Sequence, residues 1–152
     1  QSIGVASAAG KAYIHSAGKT QDVSKVWDNL GEQDAFLESM AASAQAVADY
    51  FGDRILYINV MNNLSIDCDC DAHPHDPEMK DIGILASLDP VALDQACLDL
   101  VHAVQPSEGN NSKPLIERIK SRNGQHTVDH AERIGLGTRK YELKELEPQQ
   151  TV

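Results

Sequence analysis

The sequence predicts an α/β fold: a layered sheet of mixed or mostly parallel strands with flanking helices, itself part of a larger domain. Three observations lead there. A stripe of apolar residues at helical spacing over 34–51 is followed at once by a strand-forming run at 54–60. A second strand-like run at 82–87 passes directly into a helix opened by Asp89 and Pro90. Helices and strands thus follow one another in the order expected where helices pack onto a sheet.

In chain order, residues 1–20 are small and polar, with a short apolar patch at Tyr13 and Ile14. Phe36, Leu37, Met40, Ala44, Val47 and Phe51 recur every three or four positions, which places them on one helix face. Gly52 supplies the stop. Residues 54–60, Arg-Ile-Leu-Tyr-Ile-Asn-Val, are rich in strand formers. A loop of about 20 residues follows, a length usually kept for function inside a compact domain. Residues 82–87 read as a short buried strand. Asp89 suits a cap and Pro90 the first helical position of a helix running to about Val104, with Leu93, Ala96, Cys97, Leu100, Val101 and Val104 on its buried stripe. Short helices are expected over 114–122 and 127–134, separated by Asn123-Gly124 and ended by Gly135. The tail at 138–146 has the makings of an edge strand.

The chain has 152 residues, enough for one domain, 1–152, with its own core. Only 5% of them are aromatic, so that core must be built from Ala, Val, Ile and Leu. A formal charge of −10 repels nucleic-acid phosphates and anionic lipid, and favours cations or a basic partner. No apolar run approaches the roughly 18 residues of a membrane span. The three cysteines leave at least one thiol unpaired, which points to a reducing, cytoplasmic setting. The opening at Gln1, without an initiator Met, leads us to expect a fragment, either a trimmed chain or the C-terminal part of a longer protein.

The long loop carries Asp67-Cys68-Asp69-Cys70-Asp71, followed by His73, His75, Asp76 and Glu78. In an extended segment Cys68 and Cys70 share one face and the carboxylates the other. Thiolates bind zinc, iron and iron–sulfur clusters. The carboxylates raise the thiol pKa and weaken a nucleophile, a penalty that a bound cation would reverse. Further ligands have to come from other segments, or locally from His73 or His75. Two ordinary thiols in a solvated acidic loop is the competing reading, and redox-active thiols a third.

Other patterns fall short. Asp67, Asp69, Asp71 and Glu78 fit a calcium loop, but Ala72 stands where its sharp turn needs Gly. Gly4 to Lys11 approaches a phosphate loop, with five residues instead of four between its glycines and Ala12 after the lysine; a small-residue turn is the better reading. His126 and His130 share a helix face by their spacing, without the Glu of the helical zinc-protease motif. His15 has no local partner. Cys97 reads as core, Asp89 as a cap and Asp94 as a solvated charge.

Further stretches carry a resemblance. They are 59–63, the Cys/Asp run, and 81–97 (Asp-Ile-Gly-Ile-Leu-Ala-Ser-Leu-Asp-Pro-Val-Ala-Leu-Asp-Gln-Ala-Cys), together with 10–15 and 126–137. The chain resembles a prokaryotic family known as domain of unknown function three-six-two, whose members are often joined to bacterial-type ferredoxin modules. The resemblance implies that this chain corresponds to the C-terminal half of a member and is associated with iron–sulfur electron transfer. It lends weight to Cys68 and Cys70 as ligands, then to His15, His126 and His130. It implies a ferredoxin-like or other redox partner. The Cys-rich ferredoxin run itself is absent here, and His73 and His75 are outside the shared pattern.

Three functional expectations result. The first is a metal- or iron–sulfur-associated binding or redox-accessory domain with Cys68, Cys70, His15, His126 and His130 as candidate ligands of zinc, iron or a cluster. The second is an enzyme of unassigned reaction, with Asp89, Asp94 and His130 as acid–base groups around a pocket at the strand ends. The third is a regulatory or scaffold domain whose acidic face docks a basic partner.

Overall fold

Ser7 accepts a hydrogen bond from the Gly10 amide and opens α1, Ala8–His15. The small-residue turn expected over Gly4 to Lys11 is present at 4–6 and gives way to helix from Ala8: alanine has the highest helix propensity, and the serine cap starts it. The computed structural model describes residues 4–67 and 71–146. Two 3-10 turns, Val23–Lys25 and Trp27–Asn29, lead into α2, Gln33–Phe51. That helix ends on Gly52 at a φ of 60°, a conformation that costs glycine nothing.

The strands are β1, Tyr57–Met61, and β2, Gly83–Ser87. They pair antiparallel, with Tyr57 opposite Ser87 and Met61 opposite Gly83. The α/β class expected from the sequence is present, and among the described residues it is built around one two-stranded antiparallel sheet, with no parallel pair. A parallel pair needs a crossover that carries the chain back to the starting edge, commonly a helix. No helix occurs in the described part of 62–82, and the chain returns alongside β1.

Asp89 then caps α3, Pro90–Ala103, as expected. Two further helices follow, α4, Lys113–Ser121, and α5, Gln125–Arg133. The tail forms no strand. Its donors are taken by carboxylates instead: the Thr138 amide by Asp89, Arg139 by Glu132 and Asp129, and the Tyr141 hydroxyl by Asp99.

α3 is the wall shared by two cores. On one side Ala41 of α2, Val91 of α3 and Val128 and Ala131 of α5 meet. On the other, Met61, Met79 and Val101 are surrounded by Leu85 and Ile82 from the second strand region and by Leu115, Ile116 and Ile119 of α4. The sheet turns Tyr57, Asn59, Met61 and Leu85 inward. Its other face bears Ile58, Val60 and Ile84, which are 50%, 55% and 71% exposed. An apolar strand face of this kind is normally covered in a helix-flanked sheet.

Candidate functional site

The long loop is closed at several levels. At its base the Ile82 amide donates to the Met61 carbonyl at 2.8 Å, and the Asn63 amide to Asp81 Oδ1 at 2.8 Å. Higher up, Ser65 Oγ donates to the His75 carbonyl at 2.9 Å and accepts from the Asp67 amide. Asp67 Oδ2 takes both the His75 amide, at 2.9 Å, and the His75 ring Nδ1, at 2.7 Å. Its other oxygen lies 3.6 Å from Arg118 of α4. The returning arm is fixed as well, since Asn111 donates from its amide to the Glu78 carbonyl and from its side chain to the Glu78 carboxylate. Cys68 and Cys70, on which the metal expectation centres, lie outside the described residues. The neck around them is nevertheless defined on both sides.

The neck is an ion pair with a pH window. Hydrogen bonds from His75, backbone first, hold the Asp67 carboxyl below its ordinary 3.8. The Asp67 hydrogen bond raises the His75 imidazole above 6.5. A lowered acid stabilises above its unfolded pKa and loses that contribution as pH falls through the folded value; a raised base stabilises below its unfolded pKa and loses it as pH rises through the folded value. The pair therefore holds the neck best between about pH 4 and 6.5. Proton NMR should find His75 titrating above the ordinary histidine value, and Asp67→Asn should return it there. An unchanged His75 titration in the variant would contradict the pairing. The calcium reading loses its first ligand here, because Asp67 already serves His75 and Arg118.

His126 and His130 do share a face of α5, with ring centroids 6.3 Å apart. They face Glu38 of α2, whose Oε1 is 3.0 Å from His126 Nε2 and 3.4 Å from His130 Nδ1. The second contact lacks hydrogen-bond geometry, which leaves that buried Nδ1 without a hydrogen-bond partner. The His126 hydrogen bond keeps the Glu38 carboxyl below its ordinary range, with His130 and Arg133 adding to the effect. His15 lies elsewhere: its ring packs on Phe36 at 5.3 Å and its Nδ1 meets the Lys11 carbonyl. Among the described residues no three His, Cys, Asp or Glu side chains are arranged to hold a metal ion.

The three acid–base candidates separate. Asp89 spends its carboxylate on the amides of Val91, Ala92 and Thr138. His130 faces Glu38. Asp94 alone lines a concavity, a groove of about 560 Å³ between α2, β1, α3 and α5. It also borders a smaller cavity of about 310 Å³ beside Met61 and Cys97. Asn59 Nδ2 donates to Asp94 Oδ1 at 3.0 Å and lies 3.3 Å from Cys97 Sγ. Asp94 opens to solvent through the groove mouth, but the crowding walls thin its hydration and raise its pKa, against the opposing Asn59 hydrogen bond. Desolvation raises the Cys97 thiol likewise. An acid–base pair is thus not assembled among the described residues.

Sequence reasoning passed over Asn59, Glu38 and Arg118. Asn59 did carry a signal, a lone amide inside an apolar strand run. Glu38 and Arg118 sit on helix faces indistinguishable by spacing from solvated ones.

A family model described as Domain of unknown function (DUF362) matches residues 1–99. The match takes in His15, the Cys/Asp loop, Asp94 and Cys97, and stops short of His126 and His130. No curated protein and no solved structure matches the chain.

Proposed function

We propose for this chain, which belongs to the DUF362 family, the role of a metal- or iron–sulfur-associated binding domain acting through the closed loop around 67–75. The observation that supports this reading best is the neck itself. Asp67, with its side chain only 13% exposed, takes two His75 donors and faces Arg118. Ordering a loop costs about 1–2 kcal/mol per residue in backbone entropy, and the ties at Asp67 and His75 meet part of that cost in the flanking segments before any ligand binds. The described donors do not make a cage by themselves, so the fit depends on Cys68 and Cys70. His15, His126 and His130 keep the protein partners they have. Two thiolates are half of the usual ligand set of a structural zinc site or a cluster, and a ferredoxin-like or other redox partner is the proposed source of the rest. A reducing, cytoplasmic compartment would keep such thiols free.

Zinc and iron content of the purified protein, prepared anaerobically, tests this against a Cys68→Ser/Cys70→Ser variant. Metal in the parent and none in the variant is the expected result. Equal content in both ends the proposal.

The layered sheet belongs to the same reading. Bare Ile58, Val60 and Ile84 support further structure packing on the outer face of β1 and β2. In this chain alone, Ile84→Lys should change stability by less than about 0.5 kcal/mol, as exposed substitutions do. A loss above about 2 kcal/mol in urea unfolding would mean that the face is already packed, and would remove that support.

A further inference from the structure

The outer face of the sheet is apolar from end to end. The register places Ile58 opposite Ala86 and Val60 opposite Ile84, and one step further along it Leu56 faces Leu88. Side chains alternate across a strand, so these three cross-strand pairs share one face. Leu56 and Leu88 are 58% and 74% exposed, and Ile58, Val60, Ile84 and Ala86 are exposed between them. A solvated sheet face normally alternates polar residues outward. None of these six has a polar side chain, in a chain that is 24% charged. Asn59 and Leu85 turn the other way, Asn59 toward Asp94 and Cys97 of α3 and Leu85 into the core. The inner face thus has its helix layer, and the outer face is equally apolar.

Footprint and charge select the occupant. Strands rise about 3.3 Å per residue and lie about 4.8 Å apart, so the face measures about 17 by 10 Å. A second copy meeting it face to face would cover on the order of 200 Å², well under the about 800 Å² per partner of a stable interface. One α-helix fits: it is about 10 Å across, and about eleven residues, or three turns, span 17 Å. Apolar residues at i, i+3, i+4 and i+7 of such a helix would lie along the three cross-strand pairs. The net charge of −10 favours Lys and Arg on its remaining faces. We propose that the outer face of β1 and β2 docks a basic amphipathic helix of a partner polypeptide, about three turns long. This rests on the layered-sheet reading and deepens it by naming the covering layer. It does not depend on the Cys/Asp loop.

The probe is a fluorescein-labelled peptide of about 18 residues built from Ala, Leu and Lys, with Leu at helical spacing on one face and Lys on the others; alone in water it is only marginally helical. Fluorescence anisotropy should rise saturably, and circular dichroism should show the peptide gaining helix on binding. Ile84→Lys and Val60→Lys, at exposed positions of the face, should each weaken binding by about tenfold or more. Trp27→Lys adds a lysine at an exposed site on the turn before α2 and should leave binding within about twofold. A peptide with Glu in place of Lys should bind less well. No saturable binding up to about 1 mM peptide overturns the proposal. So does binding that neither face variant weakens, that Trp27→Lys weakens equally, or that the Glu peptide matches. Self-association of the chain that Ile84→Lys abolishes would also overturn it, by assigning the face to a second copy. Urea unfolding of Ile84→Lys separates the two readings: a large loss of stability removes the bare face itself, whereas a stable variant with no peptide binding in the parent removes only the helix.

Discussion

Met61→Ala should lower stability by about 2–5 kcal/mol, the range for removing a long buried side chain. Met61 is 4% exposed and ends β1 opposite Gly83. Its side chain is the point where the sheet, α3 and α4 meet, with Met79 and Val101 buried beside it and Leu115, Ile116 and Ile119 closing from α4. It also lines the cavity of about 310 Å³, so truncation enlarges a space that its neighbours already leave open. Such a site cannot collapse around the loss, which argues against the low end of the range. Met61→Leu, close in volume, should cost less than about 1.5 kcal/mol. The contrast separates packing from any role of the thioether. Urea unfolding measures both, and a Met61→Ala loss below about 1 kcal/mol would place the centre of this core elsewhere. Met61 also leads directly into the loop, and its carbonyl closes the loop base with the Ile82 amide.

Met61 also marks where the sequence stops being legible. The helices were readable because each advertises itself locally. α2 shows its apolar spacing and its Gly52 stop, and α3 its Asp89 cap and Pro90, with both boundaries found within about a turn. Strand runs were readable for the same reason, but not their pairing. Direction depends on how the chain crosses 62–82, and no residue in that stretch states it. α1 was missed because Ala8, Ala9 and Gly10 carry no amphipathic stripe; the signal was the Ser7 cap, which spacing arguments ignore. Phe51 belongs to the expected stripe yet is 44% exposed at the last turn of α2. The candidate site divides in the same way. Proximity in sequence correctly paired His126 with His130. It could not supply Glu38, 88 residues away from His126, or Arg118 against Asp67, because those contacts exist only through tertiary packing. Asp94 looked like a solvated charge by its position on α3, and the asparagine that marks it as a groove residue comes from a different element.

Asp89→Ala should cost about 2 kcal/mol, and the reason lies in how much one carboxylate holds. Its Oδ1 accepts from the Val91 amide at 2.8 Å and the Ala92 amide at 3.1 Å, which is the cap of α3 and is worth about 1 kcal/mol. Its Oδ2 accepts from the Thr138 amide at 2.9 Å and ties the tail to the start of that helix, adding about 1 kcal/mol. Asp89→Asn distinguishes the two functions. The amide oxygen can still cap α3, while the amide nitrogen would face the Thr138 N–H, donor against donor. The expected loss is therefore about half that of the alanine variant, with the tail released and the helix intact. Gly137 gives an independent check on the same geometry. A Cβ at that position would run into the Asp89 carboxylate, which three amides hold in place. Gly137→Ala should accordingly cost about 1–3 kcal/mol in the parent, the range for overpacking, and distinctly less once Asp89 is alanine. The double-mutant cycle should then show a coupling of at least about 0.5 kcal/mol. Strict additivity of the two substitutions would mean that the tail does not lie against the α3 cap, and would remove the physical basis for its position.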